Sequence, residues 1–292
     1  MTTRRTFIPA AAGVVALAGL GRFGTAGAQD ATPGASPVAS ASPVVASIDE
    51  LPLRKAGQLT VHADQPLYAP WFIDNDPSNG QGFESALTYK IAERLGFTAD
   101  QVEWGYTSFN ASYAPGPKDF DFFITEVSIT EPRKEAVDFS DSYYNSPLVL
   151  LAVDGSPLFE AQTLADLKPY VYGAQVGTVY YTYITEVIQP DKDPLIFNTN
   201  ADSIQALANG QTDGDLQSLQ IGQAIVTFQF DNLGIVGLLP DGATEMGMVF
   251  EKGSEMVPYI NLALQSLKDD GTLDALIAEW LPIPQDLREI SR

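Results

Sequence analysis

From residue 59 onward the chain alternates short apolar runs with stretches of helical periodicity, and it does so twice. LTVHAD (59–64) reads as a strand. FESALTYKIAERLG then sets Phe83, Leu87, Ile91 and Leu95 on one helical stripe, with Gly96 as its stop. VEWGYT (102–107) is a second strand, DFFITEVS (121–128) a third that is apolar on both faces and therefore central, and LVLLAV (148–153) a fourth. The second round runs through KPYVYGAQV (168–176), LIFNT (195–199), a helix capped by Asn200 and stopped at Gly210, DGDLQSL with the apolar helix after it, and GIVGLL (234–239). EMGMVFEKG adds a strand, and two helices follow with Asp270-Gly271 between them. Two α/β units of this kind predict two lobes with a cleft, and functional groups at the carboxyl ends of the strands.

The chain in front of this pattern has a different character. Residues 1–28 carry paired arginines (Arg4, Arg5), an apolar run of about 14 residues, too short to span a bilayer, and small residues at Ala26 and Ala28. This is the pattern of an export signal, and TRRTFI resembles the twin-arginine type. Cleavage after Ala28 would remove three arginines and no acid, moving the formal charge from −21 to −24. Residues 29–56 are expected to form a disordered linker, because DATPGASPVASASPVVAS offers too little apolar surface to offset the entropy of ordering. The acidic balance, 37 Asp+Glu against 16 Lys+Arg, excludes nucleic acid and anionic membrane as partners. With no cysteine and a single histidine, neither a thiolate zinc site nor a Ser/His relay is expected, and no metal or cofactor is implied.

The chemistry concentrates in ITEVSITEPRKEAVDFSDS (124–142). Thr130 is a good N-cap, followed by an acid and a proline in the first turn, which puts Arg133 close to a helix N-terminus. A cation gains nothing from the helix dipole there. Between Gly57 and Leu281 the only other arginine is Arg94, which falls on the polar side of its helix and reads as an exposed surface charge. A guanidinium is a flat fork matched to a carboxylate, so Arg133 is either a ligand clamp or half of an internal ion pair with Asp138 or Asp141. DNDPSNGQG (74–82) fails as an EF-hand loop, since position six would be Asn79 and position twelve Ser85, and reads as a surface turn. His62 lies in a strand, where a core or edge role is the ordinary one.

SITEPRKEAVDFSDSYYNSPLVLLA resembles the corresponding segment of the extracytoplasmic solute-binding proteins for polar amino acids, family 3, which feed ABC importers. The matching positions are Ser128, Ile129, Thr130, Arg133, Phe139, Ser140, Tyr143 and Tyr144. LYAPW (67–71), VGTVYY (176–181), NGQTDGDL and DDGTLDALIAEWL follow in the family's order, so the likeness runs from about Gly57 to Leu281. The resemblance implies a two-lobe periplasmic-binding-protein type II fold with two hinge crossovers, at Leu148–Val153 and near Glu245–Val249. It implies that Arg133 clamps a ligand carboxylate with help from Ser128 and, from the opposite lobe, Thr178, while Tyr68 and Trp71 flank the ligand's side chain. Three departures stand out. Ala86 replaces the second acid of the pattern at Gly82-Phe83-Glu84, and Pro115-Gly116-Pro117 interrupts a helix at the cleft rim. Ser218 occupies the position of the aspartate that would hold the ligand ammonium, with Asp215 on the other face of its strand and Glu126 the better substitute.

The boundaries expected are lobe 1 at 57–151 and 247–284, lobe 2 at 152–246, and a C-terminal tail at 285–292. The function expected is capture of a small polar solute outside the cytoplasm and delivery to a membrane ABC permease, by a monomer and without catalysis. Two other functions stand beside it: a dehydratase-like enzyme using Glu126 and His62 as acid and base, and a sensor or orphan receptor whose ligand has changed with Ser218.

Overall fold

The structure, a computed structural model, describes residues 47–284 and 286–292. The expected export signal and the linker up to residue 46 lie outside the described residues. The chain begins with β1 (Leu59–Ala63), α1 (Phe83–Arg94), β2 (Val102–Tyr106), the short α2 (Phe109–Ser112), β3 (Phe122–Phe123), α3 (Glu131–Ala136) and β4 (Val137–Phe139). It continues through β5 (Tyr144–Ser146) into β6 (Leu148–Val153), β7 (Tyr172–Gln175), α4 (Val179–Tyr183), β8 (Leu195–Phe197), α5 (Asn200–Ala208), β9 (Gly214–Ser218), α6 (Leu219–Ala224) and β10 (Leu233–Leu238). It returns by β11 (Thr244–Met246) to β12 (Val249–Glu251), α7 (Val257–Asp269) and α8 (Thr272–Trp280).

These strands form two five-stranded sheets. The first has the order β2-β1-β3-β12-β4, with β2, β1 and β3 parallel and β12 antiparallel to both its neighbours. The second has the order β10-β6-β9-β7-β8, with β9, β7 and β8 parallel and β6 antiparallel to β9 and β10. A ribbon of β5 and β11 joins them. The predicted hinge at Leu148–Val153 is thus corrected: that segment is an interior strand of the second sheet. Leu148, Leu150 and Ala152 pack into one apolar cluster while Val149 and Leu151 pack into another. A strand buried on both faces has to be apolar throughout, which explains the unbroken run. The segments passing between sheets are Tyr144–Ser146 and Thr244–Met246.

α1 forms as its stripe dictates. Phe83, Leu87, Ile91 and Leu95 are fully buried against α7 and α8, whose Ile260, Leu264 and Leu267 are also inside. Gly82, at φ 92°, starts the helix because a Cβ there would lie 2.5 Å from the Trp71 carbonyl oxygen. α5 is capped by Thr199, whose side chain accepts from the Asp202 amide, one residue before the expected Asn200. α2 ends at Ser112, and Pro115–Pro117 is irregular, as the sequence suggests. The C-terminal residues do not dangle. Ile290 is buried among lobe-two apolar groups, and the backbone of Glu289 and Ser291 bridges to Leu238 and Thr163. No helix of the described residues is long and apolar enough to cross a membrane.

Candidate functional site

The parallel strands of both sheets end at a common gap. β1 delivers Asp64, β3 delivers Thr125 and Glu126, β7 ends in Gln175, and β9 ends in Gln217 and Ser218. α3 brings Arg133 to the same place, with the Thr130 hydroxyl accepting from the Arg133 backbone amide at 3.4 Å. The guanidinium is 7 % exposed, and its Nη1 donates to the Ser128 carbonyl at 2.7 Å. Nη2 reaches the other lobe and donates to the Gly177 carbonyl at 3.0 Å. The Tyr113 ring lies 4.3 Å beneath the guanidinium carbon and the Phe109 ring 5.4 Å away. Tyr113 Oη also touches the Gly177 carbonyl, so close that a Cβ on Gly177 would meet that oxygen at 2.7 Å. Glycine, at φ 76°, lets the lobes meet at this point.

No ion pair among the described residues includes Arg133. Asp138 is taken by Lys252, and Asp141 receives no guanidinium. The internal ion pair left open by the sequence is therefore absent. Burial of an arginine against carbonyls and aromatic faces, without an anion, leaves a charge that attracts one. Its burial lowers its pKa, yet a guanidinium remains charged at any physiological pH.

Arg133 separates two cavities. The inner chamber, about 80 Å³, is walled by Asp64, Tyr68, Glu126, Ser128, Thr178 and Gln217 among others. The outer one, about 510 Å³, opens on the far side between Pro132, Val179, Glu186 and Asp241. Within the inner chamber Glu126 sits at φ 50°, a left-handed conformation that costs a glutamate backbone energy. That turn aims its amide at Glu84 Oε1, 2.7 Å away, where the Tyr143 hydroxyl also donates. Glu84 is fully buried and its Oε2 has no partner among the described residues. Burial raises the carboxyl pKa of both acids, and for Glu126 the neighbouring Glu84 adds to it. Ser218 Oγ donates to Glu126 Oε2 at 3.2 Å, and the Ser218 amide donates to the Tyr180 hydroxyl at 3.1 Å.

Of the residues singled out from sequence, Arg133, Ser128, Glu126, Thr178 and Tyr68 all line the inner chamber. Ser218 joins the lobes through Glu126 instead of facing the open space. Trp71 requires correction. It is fully buried, edge-on to Phe83 at 5.7 Å and to Tyr144 at 5.7 Å, because the turn that packs Gly82 against its carbonyl directs the indole into the core. His62 is also elsewhere: its Nδ1 pairs with Thr107 Oγ1 at 2.9 Å and its ring tilts against Phe120, so it makes no acid–base pair with Glu126. Asp64, Thr125, Tyr180 and Gln217 were missed. Asp64 and Thr125 could have been found from their place at strand carboxyl ends; Gln217 gave no signal beyond its strand.

The model for bacterial extracellular solute-binding proteins, family 3, matches residues 59–283. The chain is 28% identical over 214 residues to the L-cystine-binding protein TcyJ of Escherichia coli (strain K12), spanning 73% of this chain and 79% of that one. Among solved structures it is similar to an ancestral arginine-binding protein bound to arginine, with a TM-score of 0.65, 28% identity, and coverage of 77% of this chain and 99% of that one. It is equally similar in fold, with a TM-score of 0.65 and 25% identity over 77% of this chain and 96% of the other, to an ancestral amino-acid-binding protein described as a precursor of cyclohexadienyl dehydratase.

Proposed function

The chain belongs to the bacterial extracellular solute-binding proteins, family 3, and from that premise we propose that it captures an amino acid in the inner chamber and passes it to an ABC permease. The observation that carries this reading is Arg133: a buried guanidinium at the lobe interface that no carboxylate among the described residues neutralises. A ligand carboxylate supplies the missing charge. Ser128 and Thr178, one from each lobe, stand beside it, so an anion on Arg133 ties the lobes together. Tyr68 supplies a flat wall for the ligand's side chain. The hinge is the β5–β11 ribbon, which connects the sheets with only two short strands.

The protein acts outside the cytoplasm, exported by the twin-arginine signal, as a monomer, and releases its ligand unchanged. The arrangement of His62 away from the chamber speaks against the dehydratase alternative, which needs an acid and a base on one substrate. Isothermal titration with the twenty proteinogenic amino acids tests the reading. At least one binds the wild-type protein and is recovered intact, and Arg133→Ala removes that binding while its unfolding curve stays cooperative. Equal affinity in the Arg133→Ala protein, or conversion of the bound compound, would overturn it.

A further inference from the structure

The Pro115-Gly116-Pro117 break stops α2 after a single turn. Neither proline has an amide to extend the helix, and Gly116 sits at φ 113°, a conformation that favours glycine. One turn of helix does not hold its own shape, so the geometry of Phe109–Ser112, and of Tyr113 after it, has to be imposed by other groups. Lys118, the first residue beyond the break, imposes it. Its side chain folds back, and Nζ donates to the Ala111 carbonyl at 3.0 Å and to the Ala114 carbonyl, on either side of Tyr113. The residue is 5 % exposed. Glu251 accepts the Lys118 backbone amide at 2.8 Å and pairs with Arg54 at 3.6 Å, so the ammonium itself makes no ion pair among the described residues. A buried ammonium devoted to two carbonyls is costly for a loop that only has to turn.

What that turn carries is the floor beneath Arg133. The Tyr113 ring lies 4.3 Å from the guanidinium carbon and the Phe109 ring 5.4 Å, and the two rings meet edge-on at 83°. Both pack against the cluster of Phe120, Phe123 and Val127, which backs them from inside lobe 1. A guanidinium stacked on rings keeps its plane, whereas one held only by the Ser128 and Gly177 carbonyls can rock about the line between them. Its remaining N–H groups would then meet a carboxylate in the right geometry only part of the time, and affinity would be lost to that disorder.

Resting on the amino-acid reading above, we propose that Lys118 is a positioning residue for ligand capture: its ammonium fixes the turn that carries Tyr113, and the Tyr113 and Phe109 rings fix the Arg133 guanidinium for the ligand carboxylate. Lys118 lines neither the inner nor the outer cavity, so its effect reaches the ligand through those rings alone.

The first readout needs no ligand. In the full chain with its arginines labelled with heavy nitrogen, the Nη signals of Arg133, assigned with the Arg133→Lys variant, are resolved and shifted by the rings. Lys118→Met, which keeps the side chain's length and removes its donors, merges them, as does Tyr113→Leu. The signals of Arg94, held by Asp270 and Ser266, stay resolved in both variants. The second readout is a double-variant cycle by titration calorimetry with L-arginine, L-glutamine and L-cystine. For whichever of them binds, Lys118→Met and Tyr113→Leu each weaken binding about tenfold, and the double variant loses no more than Tyr113→Leu alone, because both changes remove the same support. A merely structural lysine would lower the unfolding temperature and leave the Arg133 signals resolved. It would also leave affinity unchanged, or give losses that multiply to about a hundredfold in the double variant, and that result overturns the proposal. Should Lys118→Met fail to fold, Lys118→Gln, with one amide group for the same carbonyls, takes its place and shows the same lack of additivity. Resolved Arg133 signals in the lysine variant beside intact wild-type binding defeat the positioning role alone. If none of the three amino acids binds the wild-type protein, the amino-acid reading falls and the capture role with it.

Discussion

Arg94 and Arg133 are both more than nine-tenths buried, and the difference between them is what they touch. Arg94 is fully provided for: Nη2 donates to Asp270 Oδ2 at 2.6 Å and Nη1 to Ser266 Oγ at 2.8 Å, which ties α1 to the turn between α7 and α8. The expectation of an exposed surface charge is therefore wrong. The helical wheel correctly sets Arg94 off the apolar stripe, but it cannot show that a turn some 170 residues later folds over that side. Arg94→Ala should cost about 1–3 kcal/mol, because a carboxylate and a hydroxyl lose their partner. Thermal unfolding would fall by a few degrees while calorimetric affinity for the bound amino acid stays the same. Arg133→Lys should do the opposite, leaving stability near wild type and weakening binding about tenfold or more, since an ammonium keeps the charge but not the planar fork. A drop in unfolding temperature without loss of affinity would show Arg133 to be structural. Arg133 was legible as unusual in sequence and Arg94 was not; which of them a protein acid would satisfy could not be read, because the partners come from distant segments. Trp71 failed for the same reason, since an aromatic beside a proline in a loop looks alike whether it faces a cleft or, as here, two other rings.

At the level of elements, the α/β alternation was readable because its signals are local: periodicity, caps and glycine stops. What joins the elements was less so. β5 is three residues long and its partner β11 lies about a hundred residues away, so nothing in β5 itself announces a hinge, whereas the crossover expected near Glu245–Val249 overlaps β11. The neighbouring apolar run of β6 drew attention instead, although an apolar run buried on both faces marks a sheet interior. The C-terminal residues are a second case. REISR carries no alternation long enough to read as a strand, yet the Arg288 guanidinium donates to the Phe159 and Val236 carbonyls at 2.8 and 3.0 Å, and Ile290 fills lobe two at 1 % exposure. Because α8 belongs to lobe one, this tail is a further covalent link between the lobes beside the ribbon. Ile290→Ala should cost about 2–5 kcal/mol, as truncation of a fully buried isoleucine does. Urea unfolding followed by circular dichroism checks it; a midpoint within error of wild type would mean that the tail is not docked in solution.

For the molecule as a whole, the carboxylates fall into two groups with opposite consequences for pH. Asp76, Asp138, Asp166 and Asp270 lie at the surface, where hydroxyls, backbone amides or a neighbouring cation hold their pKa values below the ordinary range. Glu84, Glu126 and Asp215 are buried, and desolvation raises all three, Asp215 to about 7. An unfolded carboxyl titrates near 4. Between about pH 4 and pH 7 the native state thus holds protons that the unfolded chain has already released, and stability rises as the pH falls through that window. The formal charge of −21 acts in the same direction, because protonation relieves self-repulsion in the compact state. Below about pH 4 the surface group reverses the sign. Its members are held as anions in the native state, so their stabilisation is lost as they are protonated. The midpoint of thermal unfolding should therefore increase from pH 8 to about pH 5 by several degrees and turn over near pH 4. Asp215→Asn should flatten the rise, since a neutral side chain no longer titrates at that position, and Glu126→Gln should flatten it further. An unfolding midpoint that declines steadily from pH 8 downward would mean that these three acids are solvated in the folded protein, and the closed, desolvated chamber would not then exist in the absence of ligand.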